Sequence, residues 1–188
     1  MKRKFVILDR DGTIITERNY LSHHNQVELI SNAAIGLKKL RELGFGLLVV
    51  TNQAGVGRGY FNLDDLKLIH KRMLDLLAAE GVILDGIYFC PHKAEDNCHC
   101  RKPKLGLIEQ ALKDHDFNPQ ESFVIGDKAI DIELGQKMGA TTFLVRTGYG
   151  TMVEKENIVN PDFVVDDLYS AVNTILKTHT NDELYSHG

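Results

Sequence analysis

Two acidic residues follow the first apolar segment of the sequence at a spacing that could hold a cation. The apolar run Phe5–Leu8 leads directly into Asp9, Asp11 and Gly12. Alternate residues of an extended chain face the same side, so Asp9 and Asp11 bring two like charges together. We therefore expect the rest of the chain to supply positive charge between them.

Polar side chains also follow three later apolar segments. They are Thr51 and Asn52, then Arg101 and Lys102, and finally Asp127. The carboxyl ends of parallel strands form one edge of an open α/β sheet, so we expect these side chains to converge with Asp9 and Asp11. Three carboxylates at one point favour a hard divalent cation, and Mg²⁺ keeps water and substrate phosphate in its shell. Although each motif alone is typical of turns and helix caps, their succession predicts a phosphoryl-transfer site with catalytic Mg²⁺.

All three cysteines lie within residues 90–100. With one histidine they form the pattern C-x-H-x5-C-x-C, which consists of Cys90, His92, Cys98 and Cys100. Zinc in structural sites takes four nitrogen or sulfur ligands, so the pattern predicts structural Zn²⁺, with His99 as an alternative to His92. We expect such a site to fix the loop that carries Arg101 and Lys102. We expect a cytoplasmic protein, and in such a reducing compartment an odd, clustered set of cysteines argues against a disulfide framework and for a metal.

Strand and helix patterns alternate along the chain. The predicted strands are 5–8, 46–52, 85–90, 123–127, 141–148 and 162–165. The predicted helices cover 33–43, after candidate caps Ser31 and Asn32, then about 64–80, 107–112, 130–138 and 168–176. Short apolar strands separated by helices indicate a mostly parallel sheet covered on both faces. We therefore predict a doubly wound α/β fold.

Length and composition limit the possible classes of protein. The 188 residues suit one domain, which we place at 1–177, followed by a flexible tail at 178–188. The net charge of -4 and the lack of a long basic run argue against nucleic acid as a partner. No stretch reaches the roughly 20 apolar residues of a membrane span, and the N-terminal apolar run is too short for a signal peptide. We expect a monomer that acts on a small phosphorylated substrate.

The four motifs together resemble those of the haloacid dehalogenase superfamily of phosphotransferases. DRDGT at 9–13 is similar to its first motif, Thr51 to the second, Lys102 to the third and GDKAID at 126–131 to the fourth. The resemblance implies that Asp9 is a nucleophile that forms an aspartyl phosphate, and that Asp11 is the general acid and base. It also implies that Asp9, the backbone carbonyl of Asp11 and Asp127 bind Mg²⁺. Asp131 could orient Lys102 or Asp127, or cap the next helix.

The zinc loop and CRKP resemble two groups of the superfamily that lack a cap domain, and the spacing here leaves no room for one. TNQAGVGRGYF, ERNY and RTGYG are more similar to the group that removes the 7-phosphate of D-glycero-D-manno-heptose 1,7-bisphosphate in lipopolysaccharide or S-layer sugar synthesis. The compact zinc loop is closer to the other group, the histidinol-phosphate phosphatases. Leu105 also stands where the heptose group usually has a second proline.

The resemblance to the heptose group implies a set of substrate-lining residues: Glu17, Arg18, Asn19, Tyr20, Asn52, Gln53, Ala54, Arg101 and Lys128. Arg58 and Arg101 could each bind a second phosphate through a planar bidentate fork. Histidinol phosphate would instead bring a cation that Glu17 could meet. A non-catalytic, zinc-stabilised binding module is the alternative of another class.

Overall fold

The computed structural model describes the backbone of residues 2–185 and side chains up to residue 178. In this part of the chain six strands form one sheet. They are β1 Phe5–Leu8, β2 Gly46–Asn52, β3 Gly86–Cys90, β4 Phe123–Gly126, β5 Thr141–Val145 and β6 Phe163–Val165. The helices are α1 Ala33–Glu42, α2 Ala54–Gly57, α3 Leu63–Ala79, α4 Gly106–Asp114, α5 Ala129–Met138, α6 Gly150–Glu156 and α7 Leu168–Tyr185.

All five pairs of neighbouring strands are parallel, and the strand order is β3-β2-β1-β4-β5-β6. The order reverses direction at β1, which pairs with β2 on one side and with β4 on the other. Open α/β sheets bind ligands in the crevice that this reversal leaves at the carboxyl ends of the strands. The predicted α/β fold is confirmed, and its crevice lies where β1, β2 and β4 end.

The sheet is buried on both faces, as the apolar strands predict. Val6 and Leu8 of β1 belong to a core with α1, α3 and α7, whereas Phe5 and Ile7 belong to a core with α4 and α5. Successive residues of a strand point to opposite faces, so β1 must be apolar at every position. The strand is therefore held on both faces up to Leu8, the residue before Asp9.

Two helix starts differ in how they are capped. Asn62 caps α3, where its side chain accepts hydrogen bonds from the backbone of Asp64 and Asp65 at 2.8 and 2.9 Å. The prediction that α1 is capped in the same way is wrong, because Asn32 adopts a left-handed conformation with φ of 61° and makes no capping hydrogen bond. Asparagine tolerates this backbone region better than most residues.

Several boundaries and two helices were not predicted. The short helix α2 lies in a segment predicted as a loop, and helix α6 lies after the fifth predicted strand, where no element was predicted. Strand β5 stops at Val145 rather than at residue 148. The last helix continues to Tyr185, so the predicted tail at 178–188 begins inside α7, and residues 186–188 lie outside the described part. Of the helices in the described range, none has the length and apolar character needed to cross a bilayer.

Candidate active site

One ammonium group and two carboxylates are in contact at the carboxyl ends of β1 and β4. The ammonium comes from the loop after β3. The Lys102 ammonium donates to Asp9 Oδ1 at 2.9 Å and to Asp131 Oδ1 at 2.6 Å. It also donates to the backbone carbonyl of Val50 in β2 at 2.6 Å. Its three donors are thus all used, and Lys102 is only 3% exposed.

Charge pairing sets the ionisation of this buried cluster. Burial alone would raise the pKa of Asp9, but Lys102 and then Lys128 hold it below its usual value. Burial alone would lower the pKa of Lys102, but the carboxylates of Asp131 and Asp9 hold it above its usual value. Asp9 is therefore ionised near neutral pH, as a carboxylate nucleophile must be.

Asp131 has both of the functions considered from the sequence. Its Oδ1 accepts from Lys102, and its Oδ2 accepts from the backbone N–H of Lys128 at 3.1 Å, which closes a capping box at the start of α5. The helix start and the lysine are thus oriented by one carboxylate.

Asp127 has an unsatisfied oxygen. Its Oδ2 accepts from the backbone N–H of Tyr149 at 2.9 Å, but its Oδ1 is buried without a hydrogen-bond partner among the described residues. Burial, and then the charge of Asp9, raises the pKa of Asp127 to about 8. Gly12, with φ of 79°, leaves the space in which the Asp127 carboxylate lies, and any side chain there would collide with it.

These features fit a bound divalent cation. Asp9, Asp127 and Asp131 each offer a carboxylate oxygen, and these oxygens lie within 4.8 Å of one another. A cation would satisfy Asp127 Oδ1 and would offset the repulsion that raises the pKa of Asp127. Both oxygens of Asp131 already accept hydrogen bonds, whereas within the described range Asp9 accepts from Lys102 through Oδ1 alone and Asp127 accepts from Tyr149 through Oδ2 alone. Asp9 and Asp127 are therefore the carboxylates better placed to bind Mg²⁺.

A second network fixes Asp11, and it contains a residue that the sequence did not single out. Arg10 is 1% exposed, and it donates to Asp11 through Nε at 3.0 Å and through Nη2 at 3.1 Å. Arg10 Nη2 also donates to Gln53 Oε1 at 2.9 Å. The Gln53 amide donates to Asp11 Oδ2 and to Thr51 Oγ1, both at 2.9 Å. An arginine between two acids was the available signal, but which side of the strand it would face was not evident.

A cavity of about 400 Å³ opens beside these networks. Its lining includes most of the predicted substrate residues: Glu17, Asn19, Tyr20, Asn52, Gln53, Ala54, Arg101 and Lys128. Two predicted arginines lie elsewhere. Arg18 lines a neighbouring hollow and pairs with Glu28 at 2.6 Å, and Arg58 pairs with Glu95 at 3.6 Å.

Two cationic side chains, Lys128 and Arg101, line the cavity. Lys128 pairs with Glu17 at 2.9 Å and lies 5.0 Å from the centre of the Tyr149 ring. Arg101 donates to the backbone carbonyl of His92 at 3.2 Å. This hydrogen bond connects the cavity to residues 90–100, the cysteine loop. Tyr149 lines the cavity too, although the sequence pattern gave it no role beyond its place in RTGYG.

The four residues of the predicted zinc motif meet at one point. Cys90 Sγ lies 3.5 Å from Cys98 Sγ and 3.6 Å from His92 Nδ1, and Cys100 Sγ lies 3.6 Å from Cys98 Sγ and 3.3 Å from His92 Nδ1. Tetrahedral zinc with Zn–S bonds of about 2.3 Å separates its sulfur ligands by roughly 3.8 Å, so the set fits this ion. The alternative ligand His99 instead contacts Glu109 at 2.8 Å.

Comparison with known proteins places this geometry in a family. A family model described as HAD-hydrolase-like matches residues 99–171. The D-glycero-beta-D-manno-heptose-1,7-bisphosphate 7-phosphatase of Haemophilus ducreyi is 38% identical over 180 residues, which cover 92% of this chain and 98% of the relative. The chain belongs to the haloacid dehalogenase-like family of phosphatases. The predicted superfamily and the predicted class of enzyme are thereby confirmed.

A solved phosphatase of this family extends the likeness to the whole fold. The D,D-heptose 1,7-bisphosphate phosphatase from B. bronchiseptica, complexed with magnesium and phosphate, superposes with a TM-score of 0.88 at 27% identity and covers 93% of this chain and 99% of its own. A histidine biosynthesis bifunctional protein from Legionella pneumophila is 39% identical over 139 residues, but the match covers only 40% of that protein.

Proposed function

We propose that this phosphatase removes the 7-phosphate of D-glycero-D-manno-heptose 1,7-bisphosphate and thereby acts in the synthesis of lipopolysaccharide or S-layer sugars. The observation that carries the proposal is the match, along 98% of its length, to a relative with that name. A cavity of about 400 Å³ bordered by Arg101 and Lys128 suits a small sugar with a second phosphate.

Asp9, Asp127 and the backbone carbonyl of Asp11 would hold Mg²⁺. The ion when bound supplies positive charge beside the phosphoryl group, which offsets the repulsion between that group and a carboxylate nucleophile. The neighbour complexed with magnesium and phosphate supports this assignment. In this chain the unpartnered Asp127 Oδ1 supports it independently.

The side chains then divide the reaction into two displacements. In the first, an Asp9 carboxylate oxygen forms a bond to phosphorus, the ester P–O bond breaks, and Asp11 gives its proton to the leaving oxygen. In the second, Asp11 takes a proton from water, the water oxygen forms a bond to phosphorus, and the acyl phosphate bond breaks to restore Asp9. The Thr51 hydroxyl donates to a phosphoryl oxygen, and Lys102, whose donors hold Asp9 and Asp131, adds positive charge beside the phosphoryl group during both steps.

Hydrolysis of histidinol phosphate is the second candidate, supported by the match to the histidine biosynthesis protein. The two candidates differ in what the cavity must bind away from the reacting phosphate. Heptose bisphosphate presents a second phosphate to Arg101 and Lys128, whereas histidinol phosphate presents an ammonium and an imidazole. Glu17 and Lys128 offset each other in an ion pair, whereas Arg101 lines the cavity and contacts a backbone carbonyl rather than an acid, so the balance of charge favours an anionic group.

A direct comparison of kcat/KM on the two substrates tests the assignment. One preparation with Mg²⁺ is assayed on both esters, and an Asp9→Asn variant serves as the blank. We expect a preference of at least two decades for the bisphosphate. The reverse preference would assign the chain to histidinol phosphate, and no turnover by the wild type on either ester would refute both substrates.

Structural Zn²⁺ at Cys90, His92, Cys98 and Cys100 is a separate part of the proposal. Burial raises the pKa of the Cys90 thiol to about 12, so a cation is needed to keep this sulfur as a thiolate ligand. Arg101 is held by the backbone of this loop, so loss of the ion should also loosen the substrate side of the cavity. Elemental analysis of purified protein should give one zinc per chain, and a content far below one would contradict the proposal.

The monomeric state and the cytosolic location belong to the proposal as well. The described structure has unpaired cysteines, which suit a reducing compartment. Light scattering of purified protein should give a mass near 21.1 kDa, and twice that mass would contradict a monomer.

A further inference from the structure

A closed ring of hydrogen bonds holds the side chain of Asp11, and its members are side chains rather than backbone groups. Arg10 donates to Asp11, Arg10 donates to Gln53, and Gln53 donates to Asp11. Arg10 is an arginine with 1% exposure beside a carboxylate whose side chain is 13% exposed to the cavity. Burying an arginine is costly unless its charge and donors are used, and Arg10 Nη1 is buried without a hydrogen-bond partner among the described residues, so its position here requires a reason.

The chemistry of the three groups allows the ring to close in only one way. Arginine can only donate, and an ionised carboxylate can only accept. The Gln53 amide must therefore turn its oxygen to Arg10 and its nitrogen to Asp11, where it also reaches Thr51 Oγ1. The ring thus also connects Asp11 to the predicted phosphate-binding hydroxyl.

The ring distinguishes the two oxygens of Asp11. Oδ2 accepts from Arg10 Nε at 3.0 Å and from Gln53 Nε2 at 2.9 Å, which fills both of its lone-pair positions. Within the part of the chain that the structure describes, Oδ1 accepts a hydrogen bond from Arg10 Nη2 alone, at 3.1 Å. An oxygen with a free lone pair can carry a proton that is later transferred, whereas a fully occupied oxygen cannot.

We propose that Arg10, together with Gln53, is a positioning residue that turns Asp11 so that its Oδ1 gives and takes the proton of the reaction. The inference deepens the proposed function and rests on Asp11 as the acid and base. In the first displacement the proton leaves Oδ1 for the leaving oxygen, and in the second the same oxygen takes a proton from water. Neither Arg10 nor Gln53 loses or gains a proton.

His70 in α3 lies near enough to Arg10 for the arginine charge to affect it. It is 8% exposed, its ring lies 5.6 Å from that of Phe89, and its Nε2 is buried without a partner. Burial, and then the charge of Arg10, lowers the pKa of His70 to about 3. The imidazole is therefore neutral, and it adds no second positive charge near Arg10.

Two substrates separate a positioning role from a structural one. The sugar bisphosphate has a basic leaving oxygen that needs a proton, whereas 4-nitrophenyl phosphate releases a weakly basic phenolate that does not. A misplaced Asp11 should slow the first displacement on the sugar ester only, but it should slow attack by water on both. With 4-nitrophenyl phosphate, the variant should release one phenolate per enzyme rapidly and then turn over slowly.

The variants are Arg10→Met, Arg10→Lys and Gln53→Glu, with Arg146→Met as control because Arg146 pairs with Glu154 and Asp166 away from the cavity. General acid and base catalysis contributes about 10²- to 10⁴-fold, so we expect a loss of kcat of about 100-fold or more on the sugar ester. Gln53→Glu keeps the size of the side chain but sets a carboxylate against Asp11, so it should behave like Arg10→Met.

Thermal unfolding identifies the variants that fold. If Arg10→Met does not fold, the kinetics of Arg10→Lys and Gln53→Glu decide the question. Folded variants that show a raised KM with unchanged kcat, or equal losses on both esters without a burst, would overturn the inference. If wild type and Arg146→Met turn over the sugar ester and the Arg10 variants turn it over with the same kcat, the inference about Arg10 is overturned while the proposed function stands. Inactivity of the wild type on both esters would instead refute the proposed function.

Discussion

Replacement of His70 by methionine should make the protein less sensitive to acid. His70 lies on the buried face of α3, where it is 8% exposed and where Nε2 has no hydrogen-bond partner. Burial, and then the positive charge of Arg10, lowers its pKa from 6.5 to about 3. Methionine has a similar reach and a flexible apolar side chain, so it can occupy this site without a titrating group.

The sign and size of the effect follow from proton linkage. Between pH 6.5 and pH 3 the unfolded chain binds a proton at His70 that the folded protein does not, so the stability from neutral His70 is present above pH 6.5 and is lost as the pH falls. One proton corresponds to about 1.4 kcal/mol per pH unit. Between pH 6.5 and pH 4.5 the wild type should therefore lose roughly 2 to 3 kcal/mol relative to His70→Met.

Urea unfolding at the two pH values measures this difference directly. Acidic residues that titrate over the same range affect wild type and variant alike, so the difference between the two proteins isolates His70. His23→Gln, which removes an exposed histidine, is the matched control, and we expect its difference from wild type to change by less than about 0.5 kcal/mol. If the difference in free energy of unfolding between His70→Met and wild type is also the same at both pH values, the reasoning is refuted. His70 would then take up its proton as readily in the folded protein as in the unfolded chain.

Three further predictions concern the charged residues of the site. Lys102→Met leaves two buried carboxylates without their cation and should lower the free energy of unfolding by about 3 to 5 kcal/mol. The double variant Lys102→Met/Asp131→Asn should recover part of this loss. A denaturant titration that shows no loss in Lys102→Met would contradict the pairing. Arg101→Gln should raise KM for the bisphosphate about tenfold to a hundredfold with little change in kcat, and equal kinetics in the variant would exclude Arg101 from substrate binding. Asp127→Asn should abolish Mg²⁺ binding in calorimetry. Because the raised pKa of Asp127 means that stability falls as the pH rises toward 8, metal-free Asp127→Asn should also be more stable than wild type at pH 8.5, and a less stable variant would contradict this account.

The sequence alone determined the order of the six strands and of five of the seven described helices, and the edge at which the chemistry lies. Its strands are short apolar runs, such as Phe5–Leu8, and its helices carry apolar residues at helical spacing, such as Leu66, Ile69 and Met73. Both signals are local, and both report directly which faces are buried. Because parallel strands all deliver their carboxyl ends to one edge, the convergence of Asp9, Lys102 and Asp127 could be expected from topology before any contact was known.

Only the tertiary structure determined which side chains form hydrogen bonds and ion pairs with each other. Arg10 meets Gln53 across 43 positions of sequence, and Lys102 meets Asp9 across 93. Arg58, which the sequence presented as a phosphate ligand, instead meets Glu95 of the cysteine loop. Such contacts depend on where loops from different strands come together, and long flexible side chains can reach several partners from one backbone position. The residue types therefore predicted the chemistry, whereas the packing of the loops decided which side chain performs each part of it.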